Sequence, residues 1–450
     1  MSAAVVIGAG FAGLSAALRL AESGVPVRLL EAGRRLGGRA SSFQDPRSDI
    51  ELDWGPHLFM AANPALRSFL DRAGAGPLLR FPPSLDIGFR DSSPLPRGGG
   101  LRLARLAFPA RGGRLGQAAA LLRWGGPGLR TRLGIARGLS RMLAGGGTGG
   151  SVAGLLDSLG QGEGPRAWFW EPFARAVLNL SLEEGSGALF ARVVREALGA
   201  GPGGASLAVP PAPLGPFWAE RAGAAIERRG GEVRRGAAVR RIAVEGGSVR
   251  GVALGDGEFL EAAVAVPAVP PPALLGLLPE RCRGEAPFRE LGRLRPSPIA
   301  SAYLWLDGPS PGPPFEALVG EPWHWLFRLY GSGGPLCLLA GGRDSVAALP
   351  RGEAEASARG AAGRLLPGRK VARALLVRER AATWANGWEE QAFRPAAETP
   401  VRGLFLAGDW TATGLPATAE GAIRSGEGAA QAALGFLGGG GRASRSSGGG

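Results

Sequence analysis

The sequence has 450 residues, 45% hydrophobic and 20% charged, ordinary proportions for a globular protein and enough chain for two interleaved domains. It carries 52 Lys plus Arg against 38 Asp plus Glu, a net charge of +14, with Lys370 its single lysine. Arginine is spread over every segment instead of clustering, which argues against nucleic acid and leaves an anionic membrane surface or plain compositional drift.

Residues 3–32 read as strand, tight turn, helix and strand, a parallel βαβ unit: AAVVIG is a buried apolar run, FAGLSAALRLAESG an amphipathic helix ending at Gly24, and VPVRLLEA a second buried strand. Residues 80–150 are rich in Gly, Pro, Arg and Leu, with helices expected at LGQAAALLRW and RTRLGIARGLSRMLA and a loop at 145–150. Two further helices are expected within 165–199, around WFWEPFARAVLNL and GALFARVVREAL, making a mostly helical cap. A helix over 216–230 leads into alternating strands over 231–267, with turns at Gly246-Gly247 and Gly255-Asp256-Gly257. PAVPPPALLGLLP (267–279) reads as a linker. Strand-like runs follow in 297–341, then a helix over 352–366, and a strand, turn and helix over 404–437. The tail 438–450 is low-complexity and expected to be disordered, and no internal repeat appears.

Cys282 and Cys337 lack metal-ligand spacing, and His57 and His324 are far apart, so no metal site is expected and a reduced cytoplasmic setting fits. The N-terminus lacks a basic leader and cleavage site. No charge-free apolar run reaches the roughly 20 residues of a membrane span, although the protein could lie on the inner face of the cell membrane.

Three motifs carry chemistry. Gly8-Ala9-Gly10-Phe11-Ala12-Gly13 is a G-x-G-x-x-G between a strand and a helix, and Glu31 closes the second strand, at the distance where such motifs place an acid. The glycines permit a tight turn and close approach of backbone to a pyrophosphate, the helix N-terminus offers N–H groups, and the acid suits ribose hydroxyls. Gly33-Arg34-Arg35-Leu36-Gly37-Gly38-Arg39 adds a second glycine cradle with a guanidinium, which a long dinucleotide needs and a nicotinamide domain does not. Leu404-Phe405-Leu406-Ala407-Gly408-Asp409-Trp410 is a buried strand ending in an acid, followed by Gly414 to Ala422 and a helix beginning near Thr418, whose N–H groups could face the N1 and O2 edge of a flavin.

Together these motifs resemble the split FAD-binding domain of the amine oxidase and phytoene desaturase superfamily. The whole chain except its tail resembles the squalene-associated FAD-dependent desaturase, or hydroxysqualene dehydroxylase, family of hopanoid biosynthesis. The resemblance rests on LDWGPHLFMAANP (52–64), WEPFARAVLNLSLEEGSGALF (170–190), SPIASAYLWLD (297–307), WHWLFRL (323–329) and AGDWTATGLPATAEGAIRSGEGAA (407–430). One departure stands out: the family form resembling D-N-G-Q-H reads here Asp53-Trp54-Gly55-Pro56-His57. The resemblance implies bound FAD, a C30 polyprenoid substrate and reductive removal of its allylic hydroxyl.

The implied fold class is α/β, an FAD-binding Rossmann-like domain (1–80, 216–270 and 390–437) interleaved with an α+β substrate domain (81–215 and 271–389). The expected cofactor-binding residues are Gly8, Gly10, Phe11, Ala12, Gly13, Glu31, Ala32, Gly38, Arg39, Gly55, Val239, Gly408, Asp409, Pro416, Ala417 and Thr418. His57 is the expected proton donor, with a backbone-bonded structural histidine as the alternative, and Asp53 its expected orienter. Glu420 either lies near the flavin or caps a helix. Trp168, Phe169, Trp170, Leu178, Phe190, Trp305, Trp323, Trp325 and Phe327 either line an apolar tunnel or are simply core. A carotenoid-type desaturase, a flavin amine oxidase and a non-catalytic flavin-bound lipid carrier are the competing readings. Amine oxidases usually need a lysine beside the flavin, and Lys370 falls in an expected surface turn.

Overall fold

The first apolar run forms the strand Ala4–Ile7, fully buried and flanked by parallel strands on both sides. In the computed structural model, which describes residues 4–93, 101–111, 113–201, 203–329 and 333–443, the order of this sheet is Val264–Pro267, Ala4–Ile7, Val27–Glu31, Glu232–Arg235. A strand buried on both faces reads as continuous apolar sequence, which explains why AVVI carries no alternation. The helix Phe11–Glu22 covers one side and the last helix, Ala419–Ala443, packs along it. Contact is closest at Gly426, where an added Cβ would overlap the carbonyl oxygen of Ala12. The last helix continues through Ala443, into the segment expected to be a disordered tail; residues 444–450 lie outside the described residues.

Residues 231–267, expected as one run of strands, divide between two sheets. The strands Glu232–Arg235 and Val264–Pro267 join the parallel sheet, while Val239–Glu245, Ser248–Leu254 and Phe259–Glu261 make a separate antiparallel sheet with turns where the glycines stand. The expected linker contains a short helix, Pro271–Leu277. Its Leu274, with Leu278, Cys282, Phe288 and Leu291, enters a core shared with Val5, Ile7 and Ile242. Residues 271–294, assigned from sequence to the substrate domain, therefore pack on the dinucleotide side.

The other half is a seven-stranded sheet in the order Val371–Trp384, Pro296–Leu306, Leu336–Gly341, Trp325–Phe327, Phe315–Val319, Asp86–Asp91, Arg102–Ala107. Its two faces follow the strand period of two: Ala300, Ala302 and Leu304 meet the helix Arg351–Leu365, and Tyr303 points to the opposite face. That opposite face is covered by the helical cap, which includes Gly113–Arg123, Leu129–Leu143, Val152–Ser158, Glu171–Leu178 and Gly187–Gly199. Where Asp86–Asp91 pairs with Phe315–Val319, the sheet holds a buried Arg–Glu–Arg triad. Glu316 Oε2 accepts from Arg90 Nε at 2.8 Å and from Arg328 Nη1 at 2.6 Å, and Arg90 Nη1 also donates to the Leu365 carbonyl. Burial holds the Arg328 guanidinium below its ordinary pKa.

Two asparagines pin the cap to the rest. Asn179, in the left-handed conformation that ends the helix Glu171–Leu178, donates to Ser297 O, Pro298 O and Thr383 Oγ1. Asn386 Nδ2 donates to Leu178 O, while its Oδ1 accepts from Ala417 N.

Candidate active site

The turn after the first strand shows why glycine stands where it does. Gly8 has φ +97°, and a Cβ there would lie 2.8 Å from Ala268 O; one on Gly13 would overlap the Gly8 carbonyl, so the helix packs directly on the turn. Gly10 faces the other way, with nothing within 4 Å of where its Cβ would be. It precedes the first turn of the helix, whose N–H groups at Phe11, Ala12 and Gly13 have no partner within the helix. The side chain of Phe11 points inward and stacks on Trp218 at 3.7 Å, so only its backbone faces the turn.

Glu31 supports this turn. Its two carboxylate oxygens accept from Ala9 N and Gly33 N, each at 2.8 Å, tying the end of the second strand to both glycine motifs. Ala32 lies between the Glu31 and Gly33 peptides, which receive Ala237 N and Gly236 N and bring Val239 alongside. In the second motif, Gly37 N donates to Ala9 O, and a Cβ on Gly38 would lie 3.3 Å from Gly10 Cα, so the two glycine turns are stacked. Arg39 then crosses to the return segment, with Nη2 2.8 Å from Asp409 Oδ1 and Nη1 donating to Ala382 O.

The return segment is held from beneath. Gly408 N donates to Ser425 Oγ, and the buried Arg394 donates to Asp409 O at 2.6 Å and Leu415 O at 2.7 Å. Burial pushes the Arg394 pKa down to about 10. The last helix begins at Ala419, with Thr418 Oγ1 accepting from Gly421 N. Two N–H groups expected to face the flavin are already used: Ala417 N donates to Asn386 Oδ1 and Thr418 N to Pro416 O. The N–H groups left for that purpose are those of Ala419 and Glu420. Glu420 settles its own alternatives, for its carboxylate caps a different helix, Pro64–Ala73, accepting from Ala65 N and Leu66 N while pairing with Arg424.

The Asp53–His57 turn lies where the two halves meet. Asp53, the expected orienter, is tied by its described hydrogen bonds to Ser42, Leu214 and Tyr303. Its Oδ1 accepts from Ser42 Oγ at 2.7 Å and Leu214 N at 2.8 Å, and its peptide oxygen accepts from Tyr303 Oη at 2.6 Å. It fastens the chain before Gly215 and the large sheet to one another. Burial, opposed by those hydrogen bonds, pushes its pKa up to about 6. Stability is therefore full while Asp53 keeps its proton, below roughly pH 4, and is lost as pH rises through 6. Replacing Asp53 with Asn should remove up to roughly 3 kcal/mol of that loss. Melting curves of both proteins from pH 4 to 7 test it; parallel pH profiles would refute it.

His57 Nδ1 lies 2.9 Å from Gly55 O, so the neutral ring donates there and presents Nε2 as an acceptor. Burial and the charge of Arg39 lower its pKa, the Gly55 contact opposing them. This backbone contact is the one the structural alternative named, and a proton-donor role would fall to Nε2. A Cβ on Gly55 would face Ser301 Oγ at 3.4 Å. Of the aromatic set, Trp168, Trp170, Phe190, Trp325 and Phe327 lie with Leu178 and Tyr303 in one core, against which Phe169 and Trp305 pack. Trp323 does not join them: it packs beneath the helix Arg351–Leu365 and donates to Ser357 Oγ. His324 is buried, with its pKa lowered to about 3 by desolvation and Nδ1 accepting from Gly341 N. Lys370 is exposed at the turn before the strand Val371–Trp384, as expected. Tyr303, Asn386 and Arg394 were not singled out from sequence; being one of only two tyrosines was the single available signal for Tyr303.

Two family models match, "Flavin containing amine oxidoreductase" over residues 218–434 and "NAD(P)-binding Rossmann-like domain" over 6–73. A hydroxysqualene dehydroxylase of Sinorhizobium fredii is 32% identical over 95% of this chain and 97% of its own, and one of Rhodopseudomonas palustris is 30% identical over the same shares. An oxidoreductase of Methanosarcina mazei shares the fold, with a TM-score of 0.70 at 19% identity over 94% of this chain and 98% of that one. The stacked glycine turns, the carboxylate at the strand end and the returning Gly-Asp segment define an FAD-dependent oxidoreductase of the flavin amine oxidase superfamily. Within it, the chain belongs to the hydroxysqualene dehydroxylase family.

The residues present fit this cofactor: the open side of Gly10, the unspent N–H groups of the first helical turn and the Glu31 carboxylate form one continuous cradle. The two cysteines are Cys282 and Cys337, so the return segment 404–422 carries no thiol for a thioether link to the flavin. Acid precipitation should therefore release all flavin colour into the supernatant; colour retained in the pellet would contradict this.

Proposed function

We propose that the protein reductively removes the hydroxyl of hydroxysqualene to give squalene, with the glycine turns, Glu31, Arg39 and the Gly408–Asp409 segment binding the FAD. Reduced FAD supplies the two electrons. The observation that carries the reading is the apolar core joining the cap to the Asp53–His57 turn, in a chain of this family whose only lysine is exposed elsewhere. Apolar surroundings of this kind would suit a hydrocarbon chain and keep water from the reacting carbon.

Removing the hydroxyl as water breaks one C–O bond and forms one C–H bond, so the site must deliver a proton to the departing oxygen. His57 Nε2 can accept the substrate hydroxyl's hydrogen bond and orient the C–O bond while neutral. It becomes a donor after taking up a proton itself, which its lowered pKa restricts to the acidic side. Asp53 and Tyr303 act through position, clamping the turn to the large sheet. The discontinuous FAD-binding and substrate domains, the cytoplasmic setting and peripheral contact with a membrane belong to this same reading. Among the described residues no helix is long and apolar enough to cross a membrane.

The test is product analysis. Anaerobic enzyme with reduced FAD and hydroxysqualene should yield squalene. Oxidation of squalene with FAD, with hydroxysqualene left untouched under reducing conditions, would move the protein to the desaturase class. A bound lipid that never exchanges electrons with the flavin would make it a carrier.

A further inference from the structure

Arginine occurs throughout the chain, but its excess over acid does not. From Ser92 to Leu156 there are ten arginines and no Asp or Glu, so this stretch alone holds ten of the fourteen net positive charges and all the rest of the chain holds four. The even spread read from the sequence applies to arginine itself, not to unbalanced charge. Within this stretch the described residues form the sheet's edge strand Arg102–Ala107 and the helices Gly113–Arg123, Leu129–Leu143 and Val152–Ser158.

The first two of these helices each carry an apolar side facing the core and a second one facing solvent. Leu121, Ile135, Leu139 and Met142 are buried. Leu115 and Leu122 are seven apart and Leu129 and Leu133 four apart, so each pair lies on one side of its helix. These four are 86%, 41%, 56% and 51% exposed, and Leu103 on the edge strand is 66% exposed. Half of the exposed large hydrophobic side chains among the described residues thus fall between Leu103 and Leu133. Exposed Arg111, Arg123, Arg130 and Arg137 alternate with them, and no carboxylate pairs with any of the four among the described residues. Directly beneath, Trp124 packs against Phe89 at 4.7 Å and Trp168 at 5.7 Å, in the same core that reaches Tyr303.

Clustered leucines and unpaired arginines without acids are the composition of a surface that enters a lipid interface. A phosphate backbone of nucleic acid would use the arginines and leave the leucines in water. A second copy of the chain would set one strongly positive face against another. We propose that the solvent face of Gly113–Arg123 and Leu129–Leu143 docks on an anionic lipid bilayer, Leu115, Leu122, Leu129 and Leu133 entering the acyl boundary while Arg111, Arg123, Arg130 and Arg137 meet lipid phosphates. This rests on the peripheral-membrane reading above and gives it a location.

The experiment is flotation of the FAD-loaded full chain with vesicles of phosphatidylcholine alone or containing phosphatidylglycerol, without substrate. Wild type should bind the anionic vesicles, less so at high salt, because exposed charges are screened over about 10 Å at 0.1 M. Arg123→Gln/Arg130→Gln/Arg137→Gln should weaken that binding by roughly 100-fold, each arginine near the surface counting for about a fivefold change. Leu115→Ser/Leu122→Ser/Leu129→Ser/Leu133→Ser should abolish binding with flavin content unchanged, since all four side chains are exposed. Arg240→Gln/Arg241→Gln/Arg402→Gln, which removes equal charge from the dinucleotide side, should bind nearly as wild type. Wild type that ignores anionic vesicles overturns both the membrane reading and this face. Wild type that binds while the leucine or arginine variants bind equally well, or the distant arginine control that weakens as much, overturns the face alone. A dimer that the leucine variant converts to a monomer would make the face a self-association surface and overturn the proposal.

Discussion

Replacing His57 with Gln is expected to leave FAD bound and to slow reoxidation of the reduced enzyme by hydroxysqualene at least about 100-fold, the lower end of a general acid's contribution of about 10² to 10⁴. Glutamine retains a donor for Gly55 O but cannot take up and deliver a proton. The wild-type rate should also climb as pH falls below the ordinary histidine range, because the lowered pKa makes the imidazolium scarce at neutrality. The variant should lose that climb. Anaerobic stopped-flow single turnovers at several pH values measure both. An unchanged rate would remove His57 from the chemistry; a slow rate with the wild-type pH profile would leave it a purely positional role.

Glu316→Gln is expected to cost roughly 3–5 kcal/mol of stability, as breaking a buried ion pair from one side does. Glu316 is the only carboxylate paired to Arg90 and Arg328 among the described residues, and both guanidiniums are nearly out of water. An amide would leave two buried positive charges on either side of the strand Phe315–Val319. Urea denaturation followed by tryptophan fluorescence gives the measurement, and a shift under about 1 kcal/mol would show that water enters to solvate the pair. Flavin affinity, measured at low denaturant, should hardly change, because the triad lies in the large sheet and not in the glycine cradle.

The dinucleotide half was readable because its signals are local. Strand, glycine turn, helix and acid all fall between Ala4 and Glu31, and Gly13 packs on the carbonyl of Gly8 within the same turn. The large sheet was only partly readable because its partners are far apart. Asp86–Asp91, lost in a Gly- and Pro-rich reading, is a strand because it pairs with Phe315–Val319. Val371–Trp384 pairs with Pro296–Leu306, although other strands and a helix come between them in the chain. The same limit governs the site. Arg39 and Asp409 were each picked out, but nothing local says that they touch. Asp53 and His57 share a turn, but nothing local says that Ser42, Leu214 and Tyr303 reach Asp53 as well. Trp323 and Trp325 look alike in sequence, yet they end in different cores.

The reach of Arg39 to Asp409, across 370 residues, also bears on biosynthesis. The strand–turn–helix of residues 4–22 leaves the ribosome well before the Gly-Asp segment and the helix that packs Gly426 against Ala12. Until then one wall of the cradle and one side of the first helix are missing. Cofactor loading thereby waits for the return segment, and a nascent chain must keep its apolar first helix from aggregating until that segment emerges. A ribosome stalled before residue 404 should hold a chain that binds no flavin, however complete its glycine motif.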